Sequence, residues 1–127
     1  MPRQSPLDTV NKLIEAINRR DLKAALALYE PRATLVAEPG KLANGTEAIR
    51  TALEGFIALS PTLRGESHRI VEGGNLALFC SKWSLKGTAL DGKLVEIGGL
   101  SADVLRRQAD GSWLIVIDNP WGTGILG

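Results

Sequence analysis

Three side chains in this sequence have the chemistry to move a proton: Asp103, Glu38 and His68. Asp103 lies in the run Gly99-Leu-Ser-Ala-Asp-Val-Leu105, where strand alternation would put Gly99, Ser101, Asp103 and Leu105 on one face. Burying a carboxylate is costly unless it is paired, hydrogen-bonded or neutralised. Asp103 therefore faces water, is held by an arginine or a backbone amide at a cavity rim, or lines an apolar hollow. In the last case its pKa rises and it can act as a neutral hydrogen-bond donor, a general acid or a general base. Glu38 stands just before Pro39, at the end of the β-prone run Ala33-Thr-Leu-Val-Ala37. It is either a surface turn residue or a base at the mouth of a pocket. His68 lies mid-strand in Gly65-Glu-Ser-His-Arg-Ile70 and shares a face with Glu66 and Ile70, as an edge histidine or a pocket base.

A ligand beside these groups would be held by Trp121, Asn119, Ile117, Trp83, Tyr29 and Phe56. Trp83 shares its face with Phe79, Ser81 and Leu85, while Trp113 follows a turn and reads as core. Tyr29, at the end of a second helix, points its hydroxyl into the hollow or satisfies it in the core. The pair Asp118-Asn119 closes the last strand. If Asn119 faces inward with Ile117 and Trp121, it offers a polar contact. If Asp118 does, two carboxylates face one space and perturb each other's titration. Strict alternation allows only one of these unless a bulge intervenes.

Other chemistries are poorly supplied. One cysteine, Cys80, and one histidine make a dedicated zinc or iron site an unsuitable reading, so no metal is expected. Gly73-Gly74 and Gly98-Gly99 lack a following helix and read as hairpin or bulge positions, not phosphate loops. With no such motif, no cofactor is expected. A formal net charge of +1, with only Arg19-Arg20 and Arg106-Arg107 as basic pairs, argues against nucleic acid. The short polar start Met1 to Ser5 is no signal peptide, and no apolar run approaches the ~20 residues of a membrane span. A cytoplasmic protein without a membrane partner is expected.

The elements that must position these residues come in two blocks. Ser5-Pro6-Leu7-Asp8 reads as a helix start, followed by Leu7, Val10, Leu13, Ile14 and Ile17 at helical spacing. Asp21 caps a second helix through Leu22, Ala25, Leu26, Leu28 and Tyr29, which Pro31 stops. A loop from Gly40 to Gly45 leads to a third helix, capped by Asn44 or Thr46, with Ile49, Leu53, Phe56 and Ile57 on one face. Four strands follow: Thr62 to Glu72, Leu76 to Leu85, Leu94 to Arg106 and Trp113 to Asp118. Helices first and strands afterwards argue an α+β fold in one domain, residues 1–127, with three helices packed on a strongly curved, mostly antiparallel sheet. The helices can cover only the concave face, which leaves an apolar hollow for a small molecule. The convex face is left for a second copy, a homodimer through the sheet.

This order of elements resembles the NTF2-like superfamily, the cystatin-like α+β barrel, and within it SnoaL-like, ketosteroid-isomerase-like and DUF4440-type proteins. The marks are Asn18-Arg-Arg-Asp-Leu-Lys-Ala-Ala-Leu-Ala-Leu-Tyr29, Ala33-Thr-Leu-Val-Ala-Glu-Pro-Gly40, Gly45-Thr-Glu-Ala-Ile49, Asp103-Val-Leu-Arg106 with Asp110-Gly-Ser-Trp113, and Trp121. The resemblance implies a small hydrophobic or carbonyl-bearing ligand and, where there is a reaction, cofactor-free acid/base chemistry of isomerase, cyclase or dehydratase type. The superfamily also holds non-catalytic binding and interaction modules. In ketosteroid isomerases a carboxylate moves the proton while a protonated Asp and a Tyr stabilise the enolate. The Asp donor falls on Asp103, the base on Ala37 or Glu38, and the pocket tryptophan on Trp121. The tyrosine position falls near Leu13, which has no hydrogen to donate.

Overall fold

The computed structural model describes residues 4–127; residues 1–3, the first part of the polar start and of the expected domain, lie outside it. Helix α1 spans Pro6–Asn18 and begins with a capping box, in which the Ser5 hydroxyl accepts from the Asp8 N–H and the Asp8 carboxylate from the Ser5 N–H. Helix α2 is a single turn, Leu22–Leu26, capped by the Asp21 side chain. It ends sooner than its apolar spacing suggests, so Tyr29 opens strand β1, Tyr29–Glu38, instead of closing the helix. Pro31 is tolerated there because pairing with the next strand jumps from Tyr29 to Thr34 and needs no N–H in between.

The loop expected after Gly40 contains a short strand, β2, Lys41–Asn44. Helix α3, Gly45–Ile57, follows. Its N-cap Asn44 makes no side-chain cap, because its Oδ1 accepts the Thr34 hydroxyl at 2.8 Å. Then come β3, Thr62–Gly73; β4, Leu76–Thr88; β5, Leu94–Arg107; and β6, Trp113–Asp118, with a final 3₁₀ turn at Gly122–Leu126. The strands form one six-stranded, curved and unclosed sheet in the order β2-β1-β6-β5-β4-β3. It is mixed: β1 runs parallel to β6, and the other neighbours are antiparallel.

The three helices pack on the concave face of this α+β fold. Leu35, Ile49, Phe79 and Leu105 are almost wholly removed from water in the core between the layers. Thr9 ties α1 to the sheet by donating to the Trp113 carbonyl at 2.6 Å. Among the described residues no helix is long and apolar enough to cross a membrane. On the convex face, Val71, Leu78, Val104 and Ile117 are successive cross-strand neighbours and form an apolar row over four strands.

Candidate functional site

The helices do not fill the concavity. Between α1, α3 and the sheet lies a cavity of about 540 Å³, within the usual range of small-molecule sites. All five apolar positions of the first helix, Leu7, Val10, Leu13, Ile14 and Ile17, line it, with Leu53 and Phe56 from α3. Phe79, Trp83 and Leu85 form part of the sheet side. The walls are thus mainly hydrocarbon and aromatic, and the polar groups gather at two ends. Arg64, Glu66, Ser67 and His68 on β3 are exposed and form the mouth. Tyr29, Asp103 and Asp118 form the closed end, joined by Ser101 and Ser81.

A bulge creates that closed end. Along β5 the alternation is regular, and Ser101, Asp103 and Leu105 face inward as their spacing requires. Along β6 it is broken. Ile115 pairs with Leu105 but Ile117 pairs with Val104, so two steps on β6 match one on β5. The extra residue reverses the parity of the strand's end. Asp118 turns into the cavity, opposite Leu35 on β1, and Ile117 turns out, 40% exposed. The inward assignment of Ile117 and Asn119 is corrected on this point. Asn119 is buried but serves the chain: its Nδ2 donates to the Gly122 carbonyl at 3.1 Å, and its Oδ1 accepts from the Trp121 N–H at 3.3 Å. Gly122 makes the turn possible, since its φ is +53° and a Cβ there would lie 2.5 Å from the Leu100 carbonyl oxygen.

The two carboxylates meet. Asp103 accepts the Asn119 N–H at 2.7 Å through Oδ1 and shares a hydrogen bond with Asp118. Asp118 accepts the Tyr29 hydroxyl at 2.5 Å through Oδ2. Burial, reinforced by the negative charge of Asp118, holds the Asp103 carboxyl well above the usual aspartate range; the Asn119 amide offsets this only in part. Burial also raises Asp118, but its bonds from Tyr29 and Asp103 work the other way. Both carboxyls are thus held up and titrate as a pair, with the stronger upward push on Asp103. Tyr29, buried against this charge, has its phenol pushed well above its ordinary value. A carboxylic acid and a carboxylate sharing one proton at the end of an apolar cavity can serve as acid and base in turn.

The remaining expected residues divide. Trp83, Tyr29 and Phe56 line the cavity, and His68 lines its mouth, its ring stacked on Phe79 at 5.5 Å. Glu38 does not reach the cavity. It is exposed at the tip of the β1–β2 hairpin, opposite Lys41, where β1 is irregular between Val36 and Glu38. Neither Ala37 nor Glu38 is among the residues that line the cavity. Trp121 stands behind the wall, with its Nε1 donating to the Val36 carbonyl at 2.9 Å and its ring edge-on to Trp83. Leu13, where the resemblance put the family's tyrosine, is apolar lining; the phenol at this end comes from Tyr29 of β1 and donates to Asp118. Ser81 and Ser101, placed by alternation on the right faces, were not singled out by sequence; small polar residues between apolar inward neighbours were their signal.

Residues 10–116 match the family model for a SnoaL-like domain. No curated protein matches the chain. Among solved structures, an NTF2-like superfamily protein from Salmonella enterica serovar Typhimurium superposes with a TM-score of 0.80 at 19% identity, over 91% of this chain and 86% of that one. A candidate ketosteroid isomerase from Shewanella frigidimarina gives 0.75 at 22% identity, over 87% and 90%. A candidate scytalone dehydratase from Novosphingobium aromaticivorans gives 0.78 at 15% identity, over 87% and 76%. At these identities the likeness is one of fold.

Proposed function

Because the chain belongs to the SnoaL-like domain family of the NTF2-like superfamily, we propose that its cavity binds a small hydrophobic molecule and transfers protons on it without a cofactor. Asp103 is the acid and Asp118 the acceptor, with Tyr29 holding Asp118 in place. The observation that carries this reading is the hydrogen-bonded carboxyl pair at the closed end of an otherwise apolar cavity. Isolated carboxylates are not kept in such surroundings without a use or a strong structural need. The reaction is of isomerase, cyclase or dehydratase type, since each needs one group to give a proton and another to take one.

A thermal-shift screen against small carbonyl, hydroxyl and aromatic compounds identifies binders, and ultraviolet absorbance then follows isomerisation or loss of water. Asp103→Asn keeps the Asn119 and Asp118 contacts but carries no transferable proton. It is expected to bind the same compounds and not to turn them over. Binding without turnover in the wild type as well would make the cavity a carrier site.

The apolar row Val71, Leu78, Val104 and Ile117 supports a homodimer through the convex face. Light scattering after gel filtration should give twice the chain mass, and Leu78→Glu should give the monomer.

A further inference from the structure

We propose that the closed end of the cavity selects a neutral, hydroxyl-bearing molecule and is met by the ligand's own O–H, because the donors on that wall are already spent inside the protein. This rests on the cavity being the ligand site and sharpens it, in place of the carbonyl-bearing ligand that the family resemblance implies.

The hydrogens can be followed one by one. The Tyr29 hydroxyl donates to Asp118 at 2.5 Å. The Asp103 carboxyl bridges to Asp118. The Ser81 and Ser101 hydroxyls share one hydrogen bond at 2.6 Å, the Ser101 oxygen also receives the Ser81 N–H at 3.1 Å, and the Ser101 side chain bonds Asp103. The Trp83 Nε1 donates to the Pro120 carbonyl at 2.7 Å. Among the described residues every buried side-chain nitrogen and oxygen has a partner. What the wall still offers is lone pairs: an ionised carboxylate can accept about four hydrogen bonds, and Asp118 receives two; Tyr29 and Ser81 have oxygens with spare capacity.

Three ligand groups fare differently here. A hydroxyl adds a donor and disturbs nothing. A ketone brings only lone pairs, and to be bound it must draw a proton out of the Asp103–Asp118 pair. That gives up a charge-assisted hydrogen bond, about twice as strong as a neutral one. A carboxylate adds a second negative charge between apolar walls. An ammonium ion supplies donors but must shed its hydration against Phe56, Phe79 and Leu35.

Matched naphthalenes separate these cases: 2-naphthol, 2-methoxynaphthalene, 2-acetylnaphthalene, 2-naphthoate and 2-(aminomethyl)naphthalene, titrated near pH 7 by tryptophan fluorescence and by calorimetry. We expect 2-naphthol to bind at least about tenfold tighter than the ether and the ketone, with no saturable binding of naphthoate and weaker binding of the amine. Asp118→Asn puts an N–H donor on the wall, so the ketone should draw level with or pass the naphthol. The proposal is overturned if the ketone or the amine binds as well as the naphthol to the wild type, or if Asp118→Asn leaves the order intact. Those results leave the cavity standing as a binding site. If none of the five competes for it, the ligand-site reading itself falls.

Discussion

The two ends of the cavity carry similar residue types in opposite surroundings. At the closed end Tyr29 is buried and Asp103 and Asp118 are half-buried; the three are hydrogen-bonded in a chain and shifted in their titration. At the mouth Glu66, His68 and Arg64 stand in water. Acidity alone does not make a proton-transfer site; removal from water does, because it lets one carboxyl keep a proton that its neighbour can take. The comparison breaks most sharply in turnover. With a compound that the wild type converts, Asp103→Asn should lower the rate by about 10² to 10⁴-fold, the usual worth of a positioned acid or base. His68→Ala should stay within about threefold. Steady-state rates checked at equal substrate saturation decide the matter, and the reverse order would place the chemistry at the mouth.

Packing separates the ends in the same way. Phe79 is 2% exposed, lines the cavity and carries the His68 ring on its face. Phe79→Ala should cost about 3–5 kcal/mol in urea unfolding, the toll of a large buried ring. His68→Ala removes only the outer half of the stack and should cost no more than about 1 kcal/mol.

The pH dependence of stability sharpens the contrast further. Above the ordinary aspartate value and below the raised value of folded Asp103, the native protein holds a proton that the unfolded chain has released. Stability must therefore fall as pH rises through this window, having been complete at lower pH. Asp118, raised by burial, acts in the same sense. Scanning calorimetry from about pH 4 upward should show the wild-type melting temperature declining, and Asp103→Asn, with no proton to lose there, declining less. Equal slopes for the two proteins would mean that Asp103 is ionised and solvated.

Much of this architecture could be read from residue order, and the exceptions have physical causes. The apolar spacing of the first helix gave its cavity face correctly, and the Ser5 cap held, because both depend on neighbours three or four residues away. Asp103 was legible because Gly99, Ser101 and Leu105 differ from their alternate neighbours, so the inward set of β5 is distinct. In β6 the run Trp113-Leu-Ile-Val-Ile is apolar on both faces, and nothing in it says where parity changes. The bulge is set by pairing with β5 and β1, which is why Asp118 and not Asn119 entered the cavity. Tyr29 was placed on a helix because Leu22 to Leu28 has helical spacing; the sheet pairing of Tyr29 with Ile115 overrides that preference.

The smallest expected effect belongs to Glu38. As a carboxylate before a proline at the end of a strand, it had the credentials of a base by position alone. Its side chain stands in solvent at a hairpin tip, opposite Lys41 and apart from the cavity lining. A charge there is screened within about 8–10 Å at physiological salt and loses little when neutralised. Glu38→Gln should change unfolding free energy by no more than about 0.5 kcal/mol, leave 2-naphthol affinity unaltered, and keep the wild-type slope of melting temperature against pH. A rate loss in Glu38→Gln as large as that in Asp103→Asn would require the hairpin to fold over the mouth during turnover, and the division between a working closed end and a passive rim would no longer hold.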